Sequence, residues 1–432
     1  MKKTMLAVSL LLIAYLIQAQ VYEFRNGNWW MHNHFVAKTV YTQNGLFTFK
    51  KPIIIDSVID LQNQFCIPPF GDAHTHNLDG TYGLKEIVQQ YIKDGVFYVQ
   101  VMGNHGKGAA AARPALAKAK IIDVTYANGL LTATYGHGFY PYEPMAMGFY
   151  NPLEQFKYVD SVKKSRIAEN DAYYFLDNIA DVDTKWPLIM QYKPDHIKIC
   201  LMDAADYISK RKAEKVETYG LSSEVAAYVV KKAHAVGLRV FAHVETADDA
   251  RLCAKIGVDA LAHLPGYGWN GLPETNTKFC MTLNDAKLFK RAGMAVIPTI
   301  NIDHTAEYDT TDKAILYPER YAALLQYKKM ALTSLYKAKV PIGMGADYYG
   351  KTVTLEADSL IANKIFTNAE LIDIYCRQTV QLIFPKRKIG EIKENFEASF
   401  LALKENPVSN IATLKAGIVK RIKQGKLILV KE

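Results

Sequence analysis

Four stretches of the chain repeat one pattern: apolar residues at three-to-four spacing, then a glycine, then a short run rich in apolar and β-branched residues. They are LKEIVQQYIKDG with VFYVQVMG from Leu84, SEVAAYVVKKAHAVG with LRVFAHV from Ser223, TADDARLCAKIG with VDALAHLPG from Thr246, and NDAKLFKRAG with MAVIPTI from Asn284. The spacing predicts amphipathic helices, three of them opening on a capping residue at Ser222, Thr246 or Asn284. Gly95, Gly237, Gly257 and Gly293 stand where a helix ends in the left-handed conformation that costs glycine nothing.

The runs after the glycines read as strands buried on both faces, as in a parallel sheet covered by helices. FCIPPFGDA, GLLTATYG, DHIKIC and KVPIGMGAD are four more. Eight candidate strands between about residues 65 and 347 match the count of a (β/α)8 TIM barrel. The rival, an open doubly wound sheet, lacks a G-x-G-x-x-G after its first strand. The flanks instead alternate polar and apolar residues, with turns at Asn44-Gly45 and Gln424-Gly425. The expected organisation is therefore a barrel over 67–384 and a small β-sandwich-like domain made by both chain ends, 20–66 and 385–432.

At 432 residues, 50% hydrophobic and 22% charged, the chain suits one large folded domain with an accessory domain. The net charge of +9 comes from scattered lysines and arginines, with short KRK runs at 210–212 and 386–388, so no nucleic-acid partner is expected. Residues 1–19 carry two lysines, an apolar stretch from Met5 to Ile17 and a small residue, Ala19: a secretory signal peptide, with an uncleaved anchor as the alternative. The expected location is periplasmic or secreted, with no membrane span after signal removal. The five cysteines are far apart and lack C-x-x-C spacing, which reads as buried free thiols.

In a barrel, the polar residues that end apolar strands converge on one mouth. These are His74 and His76, His137, Lys198, His243, His263 and Asp347. Residues i and i+2 of a strand point the same way, so His74 and His76 can reach one ion together. His243 and His263 close consecutive strands, and Asp347 ends the last strand, beside the first. A second H-x-H, His32 and His34, lies in the polar flank without partners and reads as surface strand. His105 and His304 lie in mouth loops, where loop polarity explains them as well as substrate contact does; for His196 and His234 a structural reading is favoured. Lys198 is flanked by apolar residues, where an ammonium is costly unless paired or neutralised. A neutral buried amine can take up carbon dioxide to give a carbamate that bridges two cations; pairing with Asp347 is the alternative.

Taken in order, PPFGDAHTHN, DHIKI, VFAHV, DALAHLPG and PIGMGAD resemble the motifs of the amidohydrolase superfamily, in its binuclear branch with the prolidase-like and isoaspartyl-type dipeptidases. The tail KIGEIKENFEASFLALKENPVSNI resembles the return to the flanking β-domain, with Asn395 and Ser399 where glycine and aspartate are usual. The resemblance implies a buried ion held by His74, His76 and Asp347, an exposed ion held by His243 and His263, and a carbamate on Lys198 bridging them. It nominates His137, in TYGHGFY, for substrate binding. The implied cofactors are two divalent ions, zinc foremost, with a bridging hydroxide, and Asp347 as the catalytic proton carrier. The implied activity is hydrolysis of a C–N amide bond in a dipeptide or acyl-amino compound. Cyclic amides, ureides or lactones are an alternative substrate class, and a non-catalytic small-molecule-binding barrel an alternative of another kind. The expected partner is a small-molecule substrate, and self-association into a homo-oligomer is left open.

Overall fold

The structure is a computed structural model that describes residues 20–267, 269, 271–304 and 318–430; the expected signal peptide lies outside the described residues. The first strands are β1 (Tyr22–Met31), β2 (His34–Gln43), β3 (Leu46–Thr48), β4 (Ser57–Asp60) and β5 (Phe65–Ile67). They join the last three, β15 (Phe400–Leu403), β16 (Ile418–Lys423) and β17 (Lys426–Leu427), in one sheet of order β17-β16-β15-β5-β1-β2-β3, with β4 also on β1. Both chain ends thus share one hydrogen-bonded network. A bulge between Phe24 and Gly27 of β1 brings Phe24 and Trp29 to the same face, where both pack edge-on against Phe400.

Positive φ at both central residues, as two-residue hairpins require, occurs at Asn44-Gly45 and at Gln424-Gly425. It also occurs at His32-Asn33. His32 is therefore a turn residue rather than the strand residue expected, and only His34 enters β2. Asn395 has φ 63°, which explains how it can stand where glycine is usual: asparagine tolerates the left-handed region.

The central strands are β6 (Phe70–Thr75), β7 (Val96–Val101), β8 (Asp123–Tyr126), β9 (Leu130–Thr132), β10 (Tyr173–Phe175), β11 (Ile197–Cys200), β12 (Val240–His243), β13 (Ala260–Ala262) and β14 (Ala295–Ile297). They form parallel sheets of order β6-β7-β8 and β10-β9-β11-β12-β13-β14. The extended segment 341–347 lies between β14 and β6: Gly343 N donates to Val296 O at 2.9 Å and Ala73 N to Met344 O at 2.7 Å. On the other side, Asp195 N donates to Tyr126 O at 2.8 Å, tying the end of β8 to the approach to β11. The architecture is a mixed α/β fold around parallel sheets.

The expected strand list needs three corrections. FCIPPFGDA is split between β5 in the flanking sheet and β6, because Pro68 and Pro69 have no N–H for a ladder. KVPIGMGAD makes only an isolated bridge at Ile342, since Pro341 and two glycines interrupt it. β8 and β10, in IIDVTYA and AYYFL, were not anticipated; both are short, and β8 is half polar.

The helices follow the pattern closely. Ser222 accepts a bond from Val225 N and Thr246 one from Asp249 N, but the fourth helix is capped by Thr282 rather than Asn284, in a capping box with Asp285. All four glycines have φ between 69° and 89°. Four cysteines are buried and Cys280 is half-buried, all of them free. Among the described residues no helix is long and apolar enough to cross a membrane.

Candidate metal centre

His74 lies in β6 and His76 just beyond it; His243 ends β12, His263 follows β13, Lys198 lies in β11, and Asp347 closes the 341–347 segment. His74 Nε2 is 3.2 Å and His76 Nε2 3.0 Å from Asp347 Oδ1, while His263 Nε2 is 3.7 Å from Asp347 Oδ2. One carboxylate thus gathers three imidazoles. The donor atoms of His74, His263 and Asp347 all lie within 4.8 Å of one another. His243 stands next, its ring 4.6 Å from that of His263, and His137 stacks on His243 at 3.9 Å. His263, assigned by the resemblance to the second ion, faces the first group as well.

Local backbone geometry is unusual here. Thr299 and His263 have φ of 49° and 107°, conformations that β-branched and bulky residues hold only where the surroundings fix them, and Asp347 has φ 48°, in the left-handed region that aspartate tolerates. Asp347 N donates to His74 O at 2.8 Å, so the aspartate is tied to the strand it faces. Gly345 gives the necessary room: a Cβ there would stand 2.5 Å from His74 Cβ and 2.6 Å from its backbone nitrogen.

The hydrogen bonds decide which ring nitrogens are free to ligate. His76 Nδ1 is 3.0 Å from Gly103 O, an acceptor only, so Nδ1 carries the proton. His263 Nδ1 is 2.6 Å from Thr299 Oγ1, whose own proton goes to Pro298 O, so here too Nδ1 donates. In the neutral rings both Nε2 atoms then present lone pairs to the Asp347 carboxylate. Lone pairs facing a carboxylate at 3.0 Å repel unless a cation lies between them, and partners of this kind on Nδ1 accompany metal-ligating histidines. The residues therefore fit a divalent ion with nitrogen and oxygen ligands.

Lys198 fits as well. Its side chain is buried and, among the described residues, its Nζ has no hydrogen-bond partner, as is also true of His243 Nε2 and His74 Nδ1. The expected alternative, a Lys198–Asp347 ion pair, is not formed, because the carboxylate is occupied by histidines. Burial lowers the Lys198 amine to about 8, which brings its neutral form within physiological reach. Burial also lowers His74 to about 4 and holds His243 and His263 well below the ordinary histidine range. At Asp347 burial acts the other way but is outweighed by its histidines, and the carboxyl is held well below the usual range.

His137 pairs through Nδ1 with Glu217 Oε2 at 2.9 Å; burial disfavours its charge, but Glu217 outweighs this and raises its pKa. Glu217 lies in KVETYG, 80 residues away with no local signal, and sequence reasoning missed it. Thr299, Gly103 and Glu245, the last with Oε1 3.7 Å from His243 Nε2, were missed too. Thr299, near the end of the run MAVIPTI, and Glu245, directly after LRVFAHV, stood where the strand-end rule could have found them. His105 pairs with Asp171 at 3.1 Å and His234 with Asp259 at 2.9 Å.

No family model matches the chain, and no curated protein matches it in sequence. Solved structures do match. An Xaa-Pro dipeptidase with methionine in its active site is 19% identical, with a TM-score of 0.70 over 95% of this chain and 100% of that one. An amidohydrolase is 19% identical, with a TM-score of 0.68 over 95% and 100%. The ochratoxinase of A. niger is 16% identical, with a TM-score of 0.71 over 95% and 96%. The chain has the fold of solved amidohydrolases and Xaa-Pro dipeptidases.

Proposed function

We propose that this protein is a metal-dependent hydrolase of C–N amide bonds in small substrates, dipeptides or acyl-amino compounds foremost. In this reading the parallel strands close into a (β/α)8 ring through segment 341–347, and both chain ends form the accessory domain. Residues 1–19 direct the protein out of the cytoplasm. The observation that carries the reading is the convergence of His74 and His76 from one strand end with His263 and Asp347 from two others, while the buried Lys198 amine has no hydrogen-bond partner among the described residues.

His74, His76 and Asp347 would hold one ion, and His243 and His263 the other, with a carbamate of Lys198 between them. Zinc suits these donors, and when bound it would supply Lewis acidity and a water of lowered pKa. Asp347 would take the proton of the attacking water and deliver it to the leaving nitrogen. His137, its charge favoured by Glu217, would orient a carbonyl or carboxylate of the substrate. Gly103 and Thr299 keep His76 and His263 in the tautomer that leaves Nε2 bare.

The test is a hydrolysis screen with zinc supplied, setting Xaa-Pro dipeptides, dipeptides with basic C-termini and N-acyl amino acids beside cyclic imides and lactones. The proposal expects release of an amino acid from at least one linear amide with kcat/KM above roughly 10^4 M−1 s−1. Turnover confined to imides or lactones would move the substrate class to cyclic compounds. A zinc-loaded chain that hydrolyses none of them contradicts the proposal.

A further inference from the structure

Asn301 follows β14 in a short 3-10 turn, Ile300–His304, and is 1% exposed. Its Nδ2 donates to the carbonyl oxygen of Ala346 at 2.7 Å. Its backbone N–H donates to Glu356 Oε2 at 2.9 Å, and Glu356 is itself wholly buried on the helix Thr354–Ala362. Lys328, from the long helix Pro318–Lys337, reaches the same turn with Nζ 3.4 Å from Ile300 O. The turn that carries Asn301 is thus held from two helices.

The Ala346–Asp347 peptide is gripped from the other side as well. Its own N–H, that of Asp347, donates to His74 O at 2.8 Å, and the preceding peptide is held through Ala346 N, which donates to Asp72 Oδ1 at 3.4 Å. Between these donors and the Asn301 amide, the peptide cannot rotate without breaking a buried hydrogen bond. Rotation of this peptide is how Asp347 would leave its φ of 48°. In an extended conformation the aspartate side chain would leave the histidines.

Packing alone does not account for an asparagine here. Its Oδ1 is buried and, among the described residues, has no partner, so an apolar residue of the same shape would suit the position better. What only the amide supplies is the donor to Ala346.

We infer that Asn301 is a positioning residue: through the Ala346 carbonyl it holds Asp347 in the left-handed conformation that aims its carboxylate at His74 and His76. The inference rests on the reading of Asp347 as metal ligand and proton carrier.

The test uses the full chain as processed by the expressing cell, in wild-type, Asn301→Asp and Asn301→Ser forms. Aspartate keeps the shape but sets an oxygen against Ala346 O, and serine is too short to reach it. Each variant is expected to lose roughly 10–100-fold in kcat, with KM within about threefold, and to give up zinc to a chelator at least about tenfold faster, the scale of an outer-shell loss. Crystal structures of the variants are expected to show Asp347 out of the left-handed region. Variants with kcat and zinc release within about twofold of wild type overturn the inference. So does failure of both variants to fold, which assigns Asn301 to the stability of the fold. If the wild-type chain takes up no zinc and hydrolyses nothing, the hydrolase reading fails on its own, and the conformation of Asp347 in the variant crystals still decides the role of Asn301.

Discussion

His76 Nε2 stands 3.0 Å from Asp347 Oδ1, while the opposite nitrogen of the ring is held by the carbonyl of Gly103. An acceptor on one side of an imidazole and a carboxylate on the other leave a place for one cation, a proton or a metal ion. His263 repeats the arrangement with Thr299. The outer partners therefore offer the first way to probe the site without touching a ligand.

Thr299→Val removes the oxygen that fixes the His263 tautomer and keeps the side-chain shape. Zinc affinity measured by chelator competition is expected to fall roughly 10–100-fold, whereas Thr299→Ser should bind like wild type. Equal affinity in the valine variant would mean that the threonine does not set the ligand.

Lys198→Met replaces an unpartnered buried amine with an apolar chain of similar length. At pH 7 the metal-free variant is expected to be more stable than wild type, by on the order of 2–3 kcal/mol in urea unfolding, and to have lost hydrolysis. In Lys198→Ala, small carboxylic acids should restore part of the activity by standing in for the proposed carbamate. Full activity in either variant would remove the bridge from the site.

Acid should destabilise the metal-free protein through His74, His243 and His263, whose pKa values burial lowers. The folded pKa of His74 is pulled down to about 4 by burial, so between pH 6.5 and 4 the unfolded chain takes up a proton that the folded chain refuses. Its contribution is complete above pH 6.5 and is lost as pH falls through that window, on the order of 3 kcal/mol from this residue. Lys198, lowered to about 8, adds stability as pH rises from 8 towards the ordinary lysine value of 10.5. Urea midpoints at about pH 7.5, 5.5 and 4.5 check the acid side; a midpoint unchanged across that range would show these rings to be protonated in the fold.

Gly345→Ala forces a Cβ onto His74, where the nearest atoms include backbone nitrogen and cannot swing aside. A cost of about 1–3 kcal/mol is expected, read as a lower urea midpoint together with weakened zinc binding. If both are unchanged, the approach of segment 341–347 to β6 is looser than described.

How much of this was legible in the sequence differs by kind. The helices were, because an apolar stripe, a cap and a terminal glycine are local signals, and Gly95, Gly237, Gly257 and Gly293 all take the left-handed conformation. So was the gathering of His74, His76, His263 and Asp347, because a histidine or aspartate that ends an apolar run gains nothing from burial unless a partner or an ion meets it there. Strand boundaries were less legible: Pro68-Pro69 divides a run that reads as one strand, and Pro341 with Gly343 and Gly345 leaves KVPIGMGAD extended without a regular ladder. The partners that set protonation were mostly invisible. Glu217 reaches His137 across 80 residues, and Gly103 acts through a backbone carbonyl that any residue could supply.

The central claim is that these residues hold catalytic metal, and metal content per folded chain tests it most directly. Protein purified without chelator, or refilled from the metal-free state with zinc, is expected to carry close to two ions per chain by elemental analysis. A chain that keeps its fold yet takes up none would contradict the account.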